Sequence, residues 1–510
     1  VNITSSLALN ARRHPEKLAV TFKDREYTYR QFNENVNRLA HGLSSIGLQK
    51  GEKIAIMMKN SDYFAITYFA AAKLGAVIVP VNFRLVAREV NYILDQSDSV
   101  MVVCDQEFED IIQEASRDNG AIRNVIVTPR ATVPEYLSYE NILTNNLEEP
   151  DVEVLGTDDL HILYTSGTTG KPKGALFDHQ RVVKVAIGTT GLLGLQCEDK
   201  LLHVAPLFHC AQLCLFLLPG FFLGATNVIE QDFHPVETLK TIEKNRITLF
   251  FGVPTMYNFF TQVPNVDQLD LSSIARCGYG AAPMSPDLVK KSMELFKTDQ
   301  FYNLCGLTEG GPTGIYLTPE DHETKIGKSG KWPTLFTEVK VVNENGDEVE
   351  VGEVGELILR GETIMKEYYN KPEETAKTLR DGWLYTGDLA SVDEDGYISL
   401  VDRRKDMVIT GGENVYSVEV EYALDEHPHI VESAVIGTPD PKWGELVTAV
   451  IVVKEGEQLS EEEINAFCRQ RLAGYKVPKK FLFINQLPRN ASGKIQKFIL
   501  REKYTVNPVN

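Results

Sequence analysis

Seven cysteines in 510 residues, odd in number and nowhere spaced Cys-x-x-Cys, leave little from which to build a disulfide framework. That argues against a disulfide-stapled secreted scaffold, and a reducing, cytoplasmic setting is the expectation. Positive charge is also short, with 52 Lys and Arg against 71 Asp and Glu and a net charge of −19. A chain that wraps nucleic acid needs a basic face, and one that clings to anionic membranes needs the same. Residues 1–17, VNITSSLALNARRHPEK, lack the apolar core of a secretory signal. The chain ends Asn507-Pro508-Val509-Asn510, without a Ser-Lys-Leu peroxisomal address. Internal repeats and low-complexity tracts are missing as well.

Long uncharged apolar runs are scarce. One, Cys210 to Ile229 (CAQLCLFLLPGFFLGATNVI), is long enough to cross a bilayer. Gln212, Pro219, Gly220 and Gly224 interrupt it, so it reads as a buried helix broken at Pro219-Gly220 and followed by a buried strand. No transmembrane span is expected, and peripheral membrane contact stays open. His203, His209, Cys210 and Cys214 lie close in sequence, but no second ligand pair has zinc spacing. Small buried thiols are the better reading.

What is present is globular. Hydrophobic residues make up 43% and charged residues 24%, enough for sizeable cores in a soluble chain. At roughly 100–200 residues per domain, the length suggests two to four domains. Helical and strand patterns alternate from the start. Tyr29 to Gly47 carries apolar residues at helical spacing, and Lys53 to Met58 reads as a buried strand. Asp62–Leu74 (helix), Ala76–Pro80 (strand), Arg88–Ser97 (helix) and Val100–Cys104 (strand) follow. This alternation implies parallel sheets covered by helices. After about Ile326 the texture changes to short strands and tight turns, a small β unit. Past Arg403-Arg404-Lys405-Asp406, a charged connector, lies a compact α+β pattern. The expected boundary therefore falls at 402–406, between a domain of residues 1–402 and one of 403–510.

The strongest chemical signal is YTSGTTGKPKG, Tyr164 to Gly174. An apolar strand runs into Thr165, Ser166, Gly167, Thr168, Thr169, Gly170, Lys171 and Lys173. Glycines admit a ligand to the backbone, hydroxyls and N–H groups donate to phosphate oxygens, and lysines add positive charge. It is not a Walker A loop, because only two residues separate Gly167 from Gly170 and Pro172 follows Lys171.

This loop resembles the phosphate loop of the adenylate-forming superfamily, which includes acyl-CoA synthetases, adenylation domains and beetle luciferases. Further family motifs occur in order across the chain: PLFH (206–209), GAAP (280–283), GLTE (306–309), YTGD (385–388), DRRKD (402–406), GGEN (411–414) and PRNASGK (488–494). The resemblance implies an α/β protein whose large, multi-subdomain N-terminal domain has parallel sheets and a small β unit. A small, mobile α+β lid follows it, with Lys405 at the hinge. It implies two steps: a carboxylate attacks the α-phosphate of ATP, and a thiol then displaces AMP to give a thioester. Cations and fixed donors aimed at the phosphates should dominate catalysis.

By resemblance, Lys494 serves the carboxylate and α-phosphate, and the Thr165–Lys173 loop the β- and γ-phosphates. Glu309 and Thr165 would hold Mg²⁺, Asp388 and Arg403 the ribose, and His209 the carboxylate. Gly280, Ala281, Ala282 and Pro283 would pass along the adenine, beside Asn303, Leu304, Cys305, Gly306 and Thr308. Gly411 and Gly412 would line a pantetheine tunnel, with Trp443, Tyr475, Lys476 and Arg84 as candidates for the CoA nucleotide. The acyl pocket would use His209, Leu213, Phe216, Phe251, Val253, Met256, Tyr279 and Gly280.

Two residues depart from the family pattern. Cys305 stands where an aromatic commonly stacks on adenine, which leaves Tyr302 as a substitute. Gln212 stands where glycine is usual and puts the backbone path there in question.

The pocket residues are apolar, with no basic partner for a second carboxylate and no acidic partner for an ammonium. The expectation is an ATP- and Mg²⁺-dependent acyl-CoA synthetase for a hydrophobic monocarboxylic acid, with a medium or long chain favoured. An aryl-acid CoA ligase, an acyl-AMP ligase loading a carrier protein, and a silent nucleotide-binding module are the alternatives. The expected partners are the acid, ATP and CoA, without nucleic acid, in a monomer or homodimer. Residues 403–510 hold 15 basic and 15 acidic residues, so all of the −19 lies in residues 1–402. Within the C-terminal part, Arg469 to Lys503 carries ten basic residues and one acidic, a local excess expected to face small polyanions.

Overall fold

The computed structural model describes residues 1–165, 172–411, 413–489 and 495–505. They form two compact units. The first comprises described residues up to 339 together with 359–384, and the second 340–358 together with 385 onward.

The first unit is built on two large sheets. The nine-stranded sheet runs, in spatial order, Trp332–Pro333, Gly314–Leu317, Phe301–Gly306, Arg276–Gly280, Leu249–Gly252, Lys200–His203, Thr226–Ile229, Leu18–Phe22 and Arg25–Thr28. Its six central strands are parallel and its margins antiparallel. The eight-stranded sheet runs Glu367–Tyr368, Lys173–Asp178, Asp159–Thr165, Val77–Pro80, Lys53–Met57, Ser99–Asp105, Asn124–Thr128 and Leu137–Ser138. Helices join Lys53–Met57 to Val77–Pro80, Ser99–Asp105 to Asn124–Thr128 and Arg276–Gly280 to Phe301–Gly306, as the alternating pattern requires, whereas Asn124–Thr128 reaches its parallel neighbour Leu137–Ser138 without a helix.

One central core takes side chains from both sheets and from helices Ile3–Arg13, Tyr29–Ser45, Asp62–Lys73 and His179–Leu193. The outer face of each sheet has its own core. Helix Asp62–Lys73 is apolar nearly all round because it is buried on every side.

The apolar run after His209 corrects one expectation. The helix does not break at Pro219-Gly220. It continues from Cys210–Gln212 through a π-helical stretch, Leu213–Leu217, into Leu218–Leu223. Proline lacks an N–H and its ring crowds the carbonyl one turn back, and the wider turn before Pro219 accommodates both. Gly220 is kept because a Cβ there would lie 2.3 Å from Asn227 Oδ1. The stop comes at Gly224, whose φ of 86° is left-handed, and strand Thr226–Ile229 follows. Among the described residues no helix is long and apolar enough to cross a membrane.

In the second unit, Glu413–Val415, Val408–Thr410, Gly444–Val453 and Ile430–Asp440 form a sheet, with Lys480–Phe483 parallel to Gly444–Val453. Alternate residues supply two faces. Val435, Val447, Ala449 and Ile451 pack under helices Ser417–Asp425 and Glu461–Arg469, and Ala434, Ile436 and Val450 pack with Leu487 and Leu500. The expected small β unit is the remaining five-stranded sheet, Thr337–Val342, Val354–Gly361, Trp383–Val392, Leu379–Arg380 and Ile398–Arg403. Three of its strands change unit along their length.

Candidate active site

Strands Asp159–Thr165 and Lys173–Asp178 are antiparallel, with Thr165 opposite Lys173. The Thr165 hydroxyl donates to the Lys173 carbonyl at 3.4 Å. The two strands thus frame the glycine- and threonine-rich loop. Ser166, Gly167, Thr168, Thr169, Gly170 and Lys171 themselves lie outside the described residues. Gly174 has no room for a side chain, since a Cβ would meet Ile162 at 2.4 Å.

Lys173 Nζ stands 4.4 Å above the Tyr368 ring and 3.5 Å from the Glu374 carboxylate. The Tyr368 hydroxyl donates to Glu309 Oε1 at 2.6 Å. Burial, then the neighbouring Glu309, pushes the Tyr368 phenol well above its ordinary pKa, so it remains a donor. Tyr368 belongs to no motif singled out in the sequence, and its two-residue strand carries no periodicity that could have marked it.

Three strands ending near one another carry GAAP, GLTE and part of the acyl set. Gly280 lies opposite Leu304, and a Cβ there would be 2.1 Å from the Leu304 carbonyl. Ala281 is left-handed, with φ 66°. It is half-buried, whereas Ala282 and Pro283 are exposed. The Asn303 amide donates to the Lys328 and Ser329 carbonyls. Side chains alternate along this strand, so Tyr302 and Leu304 share the central-core face while Cys305 takes the other. Tyr302 is therefore not placed to stack in the stead of Cys305.

PLFH and GLTE meet through Cys210. Its thiol is 3.2 Å from the Thr308 hydroxyl and 3.8 Å from His209 Nδ1. His209 caps the helix that follows, with Nδ1 accepting from the Ala211 N–H at 3.3 Å. Neutral His209 accordingly carries its proton on Nε2, which is a donor. Gly306 is required beneath this junction, because a Cβ would be 2.1 Å from the Pro312 carbonyl.

Gln212 is fully buried. Its amide donates to His203 Nδ1 at 2.8 Å, and His203 Nε2 donates to Asn227 Oδ1 at 2.9 Å. Burial holds the His203 pKa down to about 4. The amide is thus a core residue of a buried polar chain, and the backbone around it is helical.

The acyl set divides by strand parity. Leu213, Phe216 and Phe251 lie in the central core with Leu304 against them. The Phe216 and Phe251 rings stack at 4.6 Å and 25°. Gly278 lies beneath, and a Cβ there would approach Phe251, Leu304 and Phe216 at 3.3, 3.5 and 3.5 Å. Tyr279 and Met256 belong to the opposite face of the sheet. The Tyr279 hydroxyl donates to His322 Nε2 at 2.9 Å, whose Nδ1 donates to the Thr318 carbonyl at 2.6 Å. Val253 is the residue before helix Pro254–Phe260 and belongs to neither cluster.

In the second unit, Asp388 and Arg403 face each other across two antiparallel strands, with Nε 2.9 Å from Oδ1. Asp402, buried beside them, accepts from the Arg403 and Ser417 N–H groups, both at 2.6 Å. Lys405 Nζ is buried without a hydrogen-bond partner among the described residues. Burial holds its pKa down to about 8, and Arg403 and Arg501 add to that against Asp406 and Asp388.

Gly411 packs against Trp443: its N–H donates to the Trp443 carbonyl at 2.7 Å, and a Cβ would lie 2.9 Å from the indole. Trp443 and Tyr475 are exposed, while Lys476 is bound to Glu419 at 2.6 Å. In the first unit, the Arg84 guanidinium lies 5.3 Å from the Phe83 ring. Gly412 and Lys494 fall outside the described residues. The basic run from Arg469 is partly neutralised, because Arg471, Lys476, Arg489, Lys497 and Arg501 pair with Glu426, Glu419, Glu432, Glu421 and Asp406.

Residues 7–369 match the family model of AMP-binding enzymes, and residues 419–494 match that of the AMP-binding enzyme C-terminal domain. The chain is an AMP-binding enzyme. It is 38% identical to a feruloyl-CoA synthase of Amycolatopsis sp, over 97% of both chains. It is also 38% identical to the long-chain-fatty-acid–CoA ligase FadD13 of Mycobacterium tuberculosis, over 94% of both. The crystal structure of the anthranilate CoA ligase AuaEII with anthranoyl-AMP superposes with a TM-score of 0.91 at 30% identity, covering 99% of this chain and 98% of that one. As a member of the adenylate-forming superfamily, this AMP-binding enzyme is a ligase that acts on a carboxylic acid.

The donor set near Glu309 suits magnesium. Mg²⁺ is held by one or two carboxylates plus phosphates and water, so a cage of protein ligands is not required. Glu309 is half-buried and makes no ion pair with any described cation. The Thr165 hydroxyl, at the Lys173 end of the strand pair, is a hard oxygen of the kind Mg²⁺ also accepts.

Proposed function

We propose that this AMP-binding enzyme is an ATP- and Mg²⁺-dependent acyl-CoA synthetase for a hydrophobic monocarboxylic acid of medium or long chain. The observation that carries the reading is the junction of His209 and Thr308 through Cys210, on a segment that runs directly into Leu213 and Phe216. A carboxylate-orienting donor and an apolar face come from one stretch of chain, and Cys210 on that stretch meets the nucleotide motif at Thr308.

In the first step His209 Nε2 donates to the acid and orients it, while Leu213, Phe216, Phe251 and Leu304 exclude water from its apolar tail. Thr165, Lys173 and the loop between them bind the β- and γ-phosphates, and Lys494 stabilises charge at the α-phosphate. Glu309 and Thr165 hold Mg²⁺, which offsets charge on the phosphates. Asp388 accepts from ribose hydroxyls, with Arg403 fixing its carboxylate. Backbone at Gly280–Pro283 and Asn303–Gly306 lines the adenine. In the second step Gly411 and Gly412 admit the pantetheine thiol, and Trp443, Tyr475 and Lys476 serve the CoA nucleotide. Residues 403–510 form the lid, with Lys405 as its hinge.

One observation favours an aryl acid as a second reading. The Phe216–Phe251 stack over Gly278 offers flat aromatic walls, and planar rings pack well against such walls.

Purified protein is assayed with ATP, Mg²⁺ and a panel of alkyl and aryl acids. Pyrophosphate release that depends on the acid, followed by AMP and thioester formation with free CoA, is the expected result. Thioester formation only on a carrier protein replaces CoA as acceptor. No acid-dependent pyrophosphate overturns the reading.

A further inference from the structure

Tyr368 lies outside every motif of the resemblance, yet it touches both halves of the phosphate site. Strand Glu367–Tyr368 pairs antiparallel with Lys173–Asp178, and Tyr368 faces Ala175. Lys173 is two residues before Ala175 and so projects on the same face, as a diagonal neighbour of Tyr368. That register is what brings the ammonium to 4.4 Å from the ring centroid. The far end of the same side chain reaches Glu309 Oε1 at 2.6 Å.

The segment grips Glu309 a second time, since the Met365 N–H donates to the Glu309 carbonyl at 2.8 Å. On the other side, the Lys366 N–H donates to the Leu176 carbonyl and the Tyr369 N–H to that of Gly174, both at 2.8 Å. Residues 365–369 therefore clamp the carboxylate's own backbone and the strand leaving the phosphate loop. Tyr368 is 3% exposed, so its ring has little freedom. A buried phenol needs some acceptor, and a backbone carbonyl would serve. Here the acceptor is the carboxylate assigned to magnesium, and engaging Oε1 sets the orientation in which Oε2 is presented.

We propose that Tyr368 is a positioning residue of the Mg·ATP site: its hydroxyl orients the Glu309 carboxylate and its ring face holds the Lys173 ammonium. The proposal rests on the assignment of Glu309 to Mg²⁺ and Lys173 to phosphate.

Tyr368→Phe keeps the ring and removes the hydroxyl, and Tyr368→Leu removes both. Nucleotide binding is measured by isothermal titration with Mg·ATP and with ATP in EDTA, alongside melting temperature. Tyr368→Phe should weaken Mg·ATP by about 10–100-fold, the usual cost of losing an outer partner of a metal ligand. It should leave metal-free ATP binding unchanged, and thioester formation from supplied acyl-adenylate likewise. Tyr368→Leu should weaken metal-free ATP as well. Adding Tyr368→Phe to Glu309→Gln should cost nothing further, because the first acts through the second.

Wild-type Mg·ATP affinity in Tyr368→Phe overturns the proposal. So does an equal loss with and without metal, which is the mark of a structural role alone. These outcomes are separate from the acid panel. Absent acid-dependent pyrophosphate in the wild type sinks the enzymatic reading, whereas unchanged Mg·ATP affinity in Tyr368→Phe sinks only the assignment of Tyr368.

Discussion

Glu309 and Asp388 are both half-buried carboxylates in family motifs, but their partners differ in kind. Glu309 accepts from a neutral phenol at 2.6 Å, and Asp388 pairs with a guanidinium at 2.9 Å. A phenol orients a carboxylate and leaves its negative charge in place. A guanidinium orients it and cancels that charge. The first arrangement retains attraction for a cation. The second leaves oxygens suited to neutral donors such as ribose hydroxyls. On the proposed assignments, the same functional group would serve different ligands in the two regions, with the neighbour deciding which.

Glu309→Gln tests this comparison most severely. It should lower acid-dependent pyrophosphate release by at least ~10²-fold, as loss of one preorganised electrostatic contact does. The Mg²⁺ concentration giving half-maximal rate should rise with it. Asp388→Asn should act about tenfold, the scale of one hydrogen bond to a charged group, and mainly on KM for ATP. Its Mg²⁺ midpoint should not move. Equal shifts of that midpoint in both variants would erase the distinction.

The smallest effect concerns acid. Burial holds His161 at about 3 and His179 and His203 at about 4, all in the first unit. Their unfolded value is near 6.5, so between about pH 6.5 and 4 the unfolded chain binds protons that the folded chain does not. Their stabilising contribution is complete above pH 6.5 and is lost as pH falls toward 4. Urea unfolding followed between pH 7 and 5 should show that decline, and His203→Asn should make it shallower. A slope unaffected by His203→Asn contradicts its neutral burial.

Much of the architecture was legible along the chain. Lys53–Met57, Val77–Pro80 and Ser99–Asp105 fall within two residues of the expected strands, because continuous apolar runs flanked by turns have few other uses. The Phe251/Tyr279 division was also latent in strand alternation: Phe251 pairs with Gly278, and Tyr279, the next residue, takes the opposite face. Register was what the sequence withheld. Pro219 by its local chemistry predicts a helix end, whereas the surrounding core holds the helix together through a widened turn. The basic run from Arg469 carries a local excess along the sequence that suits small polyanions. Five of its residues meet carboxylates that lie elsewhere in the second unit.

Motif identity and order are local properties, and they sufficed to mark the family and to nominate Glu309, Asp388, His209 and Lys173. Contacts between distant segments belong to tertiary structure. Tyr368 reaches Glu309 across 59 positions and Cys210 reaches Thr308 across 98. Such pairings depend on strand register and on which face a side chain takes, and a one-residue slip reverses every face. The chain's residues therefore determined which chemistry is available. Only the packed sheets decided which residue holds the carboxylate and which merely fills the core.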